Sequence, residues 1–134
     1  MMKDELKSVS DYTVRSVDTT TENRITLLLD KDHGQRKTLT ITAVSECCED
    51  IYLHFSGAFT QRINGNELHA LKQIDEFDER ERLTEEFRQK FVKVGDDNDQ
   101  VYVEKFVLGI NEVPFYLVSI SNGYYVGWLK TQIE

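Results

Sequence analysis

Two cysteines, Cys47 and Cys48, and three histidines, His33, His54 and His69, are the side chains best suited to nucleophilic or metal chemistry. A thiolate could attack an electrophile with one of the histidines as its base. Cys47, Cys48 and His54 could also be drawn as zinc ligands. Zinc sites normally separate paired cysteines by two to four residues so that both sulfurs reach one tetrahedron, and adjacent cysteines rarely do this. A disulfide between sequence neighbours would close a strained ring, so reduced thiols in a reducing compartment are expected. Buried, inert thiols are the usual outcome for such a pair.

The carboxylates suggest calcium, because Asp96-Asp97-Asn98-Asp99 and Asp30-Lys31-Asp32 cluster the hard oxygens that cation prefers. Neither run fits an EF-hand loop. Starting from Asp96, the glycine position falls on Val101 and the closing glutamate position on Val107; starting from Asp30 they fall on Gln35 and Ile41. The chain has no Gly-x-Ser-x-Gly elbow, phosphate-cradling glycine loop or dinucleotide fingerprint. No catalytic residue, metal ligand or cofactor is therefore singled out, and a small thiol-dependent enzyme is the weakest of the functional alternatives.

The chain has 134 residues, 24 of them acidic and 16 basic, with a formal charge of −8. That balance disfavours nucleic acid phosphates and anionic lipids and favours a basic protein partner, such as a nucleic-acid-handling enzyme. Apolar residues make up 40% and aromatic residues 10%, enough bulk to offset the entropy of ordering one domain over residues 1–134. No stretch approaches the roughly 20 apolar residues of a membrane span, and the start lacks the apolar core of a secretion signal. A cytoplasmic protein is the expectation.

The elements that must position these residues follow from periodicity. After a polar start, expected to fray over residues 1–10, alternating apolar residues predict strands at 12–17, 24–29 and 37–43, joined as a meander. In the third, Leu39, Ile41 and Ala43 face inward and a row of threonines faces outward. Residues 51–55 alternate again, and 68–74 are ambiguous between helix and strand. Asp78 and Glu81 have the spacing of a capping box, and Leu83, Phe87 and Phe91 recur every four residues, predicting an amphipathic helix over about 79–92. Its remaining faces are charged, with Glu86 placed four residues before Lys90. Strands at 101–108 and 113–120 form a hairpin, Pro114 suggesting that the second begins at an edge or with its nitrogen facing outward. The expected fold is α+β: a mainly antiparallel twisted sheet of about six strands carrying one amphipathic helix.

The most distinctive stretch is Ser121-Asn122-Gly123-Tyr124-Tyr125-Val126-Gly127-Trp128, a turn running into a final strand or helical turn. Core closure by Tyr124 or Trp128 is the preferred structural reading. Tyr and Trp are also enriched in interface hot spots, and the two readings overlap if Tyr125 faces outward. This stretch, together with Glu46-Cys47-Cys48-Glu49-Asp50, resembles a family of small proteins of tailed phages and some bacteria that has no established activity. Val126 departs from the pattern, in which glycines directly follow the tyrosines. The resemblance implies a phage accessory protein of the kind that binds and disables a host or defence component.

The leading functional expectation is accordingly a non-enzymatic acidic interaction protein that acts as an inhibitor. Its partner-binding residues would be Glu79, Glu81, Glu85 and Glu86 on the helix and Tyr124, Tyr125 and Trp128 in the aromatic stretch. The alternative is a small-molecule binding or sequestering domain with Tyr124, Tyr125 and Trp128 lining a pocket over the sheet.

Overall fold

The computed structural model describes residues 6–46, 50–91, 100–121 and 127–134. Cys47, Cys48, the Asp96–Asp99 run, Tyr124 and Tyr125 lie outside the described residues, as does the side chain of Phe91. The fold is α+β. Its strands are β1 (Thr13–Asp18), β2 (Arg24–Lys31), β3 (Gln35–Val44), β4 (Asp50–Phe55), β5 (Leu71–Ile74), β6 (Gln100–Leu108), β7 (Val113–Ser121) and β8 (Trp128–Ile133). A short helix α1 (Phe59–Ile63) follows β4, and the long helix α2 (Phe77–Phe91) follows β5.

The strands form two antiparallel sheets of four, ordered β1-β2-β3-β8 and β4-β7-β6-β5, rather than one sheet of about six. The two additional strands are β5, from the ambiguous segment, and β8, from the terminal stretch. Leu71 of β5 is buried beside Leu108, its partner on β6, and this tertiary contact decides a segment whose local periodicity does not.

The meander β1-β2-β3 runs in continuous register from Arg24↔Thr42 to Lys31↔Gln35 across its second pair. Its first turn begins at Asp18, whose carboxylate accepts bonds from the Thr20 amide at 2.9 Å and hydroxyl at 2.7 Å. The second turn needs two left-handed residues, supplied by His33 (φ 68) and Gly34 (φ 75).

Alternation along the strands then builds the layers. Ile25, Leu27, Leu29, Leu39, Ile41 and Leu129 of the first sheet meet Leu53, Phe106, Leu108, Phe115 and Leu117 of the second in one buried cluster. Phe59 and Ile63 of α1 close one side of it, Phe59 lying 4.7 Å from Phe55 and 5.8 Å from Phe115 between ring centroids. Leu6 and Val9 are also buried in this core, so residues 6–10 are anchored where fraying was expected.

The opposite face of the second sheet carries Val101, Val103, Val118 and Ile120, covered by Leu83 and Phe87 of α2. The molecule is thus layered sheet, sheet, helix. Central strand β7 is apolar on both faces for this reason, and it is an interior strand where an edge was one expectation. Pro114 is tolerated at its second position, where pairing with β4 has not yet begun; that pairing ends at Phe55↔Phe115.

Candidate functional site

The described contact residues, Glu79, Glu81, Glu85 and Glu86 on α2 and Trp128 on β8, fall on two opposite sides of the molecule. Helix α2 lies on the outer face of the second sheet, with Leu83 and Phe87 turned inward. Asp78, Glu81 and Glu85, spaced three and four residues apart, are exposed on its far side. Phe77, at the start of the helix, is 64% exposed, and the Arg80 guanidinium lies 5.6 Å from its ring centroid.

Glu79 takes a different position from its neighbours. Its carboxylate accepts from Lys105 Nζ at 2.8 Å and from the Tyr116 hydroxyl at 3.2 Å, fastening the first turns of α2 to strands β6 and β7. A hydrogen bond shared with the Glu76 carboxyl, followed by the bond from Lys105, lowers the Glu79 pKa to about 2. Glu76 is correspondingly raised, and its own carboxylate is 3.7 Å from Lys105. Glu79 therefore holds the helix down. Glu86 pairs with Arg82 at 2.8 Å, and Glu85 accepts from Gln89 at 3.3 Å, both one turn away on the helix surface.

Trp128 lies on the outer face of the first sheet, with both sheets between it and the helix. At the start of β8, Leu129 and Thr131 turn inward while Trp128 and Lys130 turn out, leaving Trp128 48% exposed. The expectation that Trp128 closes the core is thereby corrected. The residue that does fit inward is Gly127: a Cβ there would lie 1.9 Å from Ile51 Cδ1 and 3.0 Å from the Val44 carbonyl oxygen. Its amide donates to Ser119 Oγ at 3.0 Å, tying the return into β8 to β7. Around Trp128 the outward side chains are Thr42, Val44 and Lys130, none of them acidic.

A feature that sequence reading did not assemble is an open cleft of about 390 Å³ between the β1–β2 turn, β4 and the last turns of α2. Thr19, Thr20, Glu22, Tyr52, His54, Phe55 and Lys90 are among the residues that line it. The turn is fixed to β4 by a bond from the Leu53 amide to the Glu22 carbonyl at 2.8 Å. His54 meets the edge of Phe87 at 5.0 Å, and burial, then the charge of Lys90, lowers its pKa. Burial likewise raises the Tyr52 phenol, with Glu22 and Asp50 adding to the effect. The alternation of Tyr52 and His54 against Leu53 and Phe55 was legible, but the approach of Thr19, Glu22 and Lys90 depends on how the two sheets and α2 are placed.

His33 and His69 both occupy left-handed backbone, in the β2–β3 turn and before β5. Among the described residues no three His, Cys, Asp or Glu side chains are grouped to hold a metal ion. No described helix is long and apolar enough to cross a membrane. Comparisons with protein-family models, curated proteins and solved structures found no match for this chain.

Proposed function

We propose that this protein is an interaction module that engages a basic protein partner through the outer side of α2. The observation that carries the reading is the row Asp78, Glu81 and Glu85, exposed opposite the buried Leu83 and Phe87, with Phe77 exposed at its head. Asp78 has a sufficient structural role, since a carboxylate in the first turn is favoured by the helix dipole. Glu81 and Glu85 lie beyond that turn, where the dipole gives them little. Phe77 beside them supplies the apolar contact that a charged helix alone would lack. Glu79 is not part of this surface, because it is engaged with Lys105 and Tyr116. The resemblance to tailed-phage accessory proteins makes a host or defence component the expected class of partner, and inhibition the expected consequence.

The test is affinity capture with the wild-type chain followed by binding kinetics of the double variant Glu81→Gln/Glu85→Gln against the captured protein. Association should slow at least about threefold in the variant, and in the wild type it should slow as salt is raised, because rim charges act mainly on the on-rate. Circular dichroism checks that the variant is folded. A folded variant that associates at the wild-type rate refutes the reading.

A second reading is favoured by the cleft at His54, whose aromatic walls and polar rim suit a small molecule. It moves the sequestering alternative away from Trp128, which stands on an open sheet face.

A further inference from the structure

Helix α2 covers the outer face of the second sheet, whereas the outer face of the first leaves Leu28 and Trp128 44% and 48% exposed. Strand register fixes the rows of side chains across that open face. Arg24 lies opposite Thr42, and Thr42 opposite Lys130. In the next row toward the start of β8, Val44 lies opposite Trp128. In the row on the other side, Thr26 lies opposite Thr40, and Thr40 opposite Gln132. Successive rows are about 6.8 Å apart along the strands and neighbouring strands about 4.8 Å apart, so these side chains form an open grid.

Two features of this grid point to a ligand. The first is its charge. At the far end of the face the cations are matched, Asp30 holding Arg15 at 3.7 Å and Arg36 at 3.6 Å. Arg24 and Lys130, on either side of Thr42, have no carboxylate within ion-pair distance among the described residues, and the Arg24 guanidinium meets only the Thr21 hydroxyl, at 3.4 Å. In a chain of net charge −8 this is a local site of unmatched positive charge. The second feature is the exposed indole of Trp128 in the adjoining row. The hydroxyls of Thr40 and Thr42 are bonded to no described residue, so donors and acceptors stand ready beside the cations. Gln132 gives its amide nitrogen to Glu134 at 3.0 Å, which leaves its carbonyl oxygen to accept.

We infer that this face is a binding platform for an acidic oligosaccharide in which uronic acid units alternate with neutral sugars. The C–H face of a neutral sugar ring packs on the Trp128 indole by dispersion. The carboxylate of the next unit reaches Arg24 and Lys130 across Thr42, and the hydroxyls of the unit beyond exchange hydrogen bonds with Thr40 and Gln132. An open face encloses no small molecule, but a chain-like ligand lies across it. Nucleic acid suits the grid less well, because two cations neutralise only two phosphates while the net charge of the protein opposes every further one. A glycan with a charge on alternate units meets that opposition half as often, and its neutral units use the hydroxyls that phosphates would leave idle. The platform lies on the side of the molecule opposite α2, so it does not compete with a protein held there.

Trp128 is the single tryptophan of the chain, so its fluorescence reports on this face alone. The wild-type protein is titrated with short oligosaccharides of hyaluronan, unsulfated chondroitin and heparosan, with their carboxyl-reduced neutral forms, and with oligothymidylate. At least one acidic glycan should change the emission saturably at micromolar to millimolar concentration, and its reduced form should bind about tenfold more weakly. Calorimetry on variants shown by circular dichroism to be folded then locates the contact. Trp128→Ala should weaken binding about tenfold or more, Trp128→Phe should retain most of it, and Arg24→Gln/Lys130→Gln should bind the acidic glycan no better than the reduced one. No saturable change with any of the three glycans up to about 10 mM overturns the inference, as does equal affinity for the reduced forms, tighter binding of oligothymidylate, or wild-type affinity in folded Trp128→Ala. Should the alanine variant fail to fold, the reduced glycans and the charge variant decide.

Discussion

Gly127 shows how a single missing Cβ sets the direction of a strand. Its contact with Ile51 and the Val44 carbonyl brings the chain close enough to the core for Leu129 to enter, and strand alternation then sends Trp128 outward. Gly127→Ala should cost about 1–3 kcal/mol by overpacking, and Ile51→Val in the same chain should recover part of the loss by removing the methyl nearest the new atom. Thermal or urea denaturation of the single and double variants measures this, and a Gly127→Ala protein of unchanged stability would show that the contact relaxes freely.

His54 supplies a second prediction at this scale. Its folded-state pKa is lowered by burial and by Lys90, so the unfolded chain binds the proton more readily. Stability should therefore fall as pH drops through the ordinary histidine range near 6.5 toward the lowered value, then level off for this group. Denaturation midpoints between about pH 7.5 and 5 should show this limb in the wild type and a flatter one in His54→Gln. Identical slopes would exclude His54 as its source. The sequence displayed the residue types at these positions, but a glycine's steric role and a histidine's burial depend on what faces them across the core.

The long helix was the most legible element, because Leu83 and Phe87 recur at helical spacing and the remaining positions are polar. The observed Phe77–Phe91 begins two residues before the expected start. Leu83→Asp should destabilise the fold by several kcal/mol, since the carboxylate would be buried against Val103 and its neighbours with no partner provided for it. Unchanged thermal stability would contradict the buried face. What periodicity could not show is that the charged positions differ in kind: Glu79 is fastened to Lys105 and Tyr116, whereas Glu81 is open to solvent. The strands divide in the same way. The threonine row of β3 read correctly as an outward face, but β5 has too short and too mixed a pattern to declare itself without Leu108 beside it.

At the scale of the whole molecule, strand alternation was enough for the fold class but not for the division into two sheets. A six-strand sheet with a helix and an eight-strand double layer with a helix put the same alternation on most strands. The difference lies in whether β3 continues into β4 in one sheet or the chain crosses to another. β3 ends at Val44 in one sheet and β4 begins at Asp50 in the other, and nothing in the sequence between them indicates the change. The same division separates the acidic helix from Trp128, so a charge-and-aromatic surface that is plausible along the sequence becomes two surfaces in space.

The pairing of β3 with β8 also has a consequence for the order of assembly. Strands β1 to β3, and the β6–β7 hairpin, can close from neighbouring sequence, but Leu39 must wait for Ile133 before its sheet is complete. Such distant pairings carry a large loop-closure cost before any contact repays it, and sandwiches built from them fold in milliseconds to seconds. While the chain is being synthesised, β3 keeps a bare edge until the last of these strands emerges, and that interval is when chaperone protection would matter most.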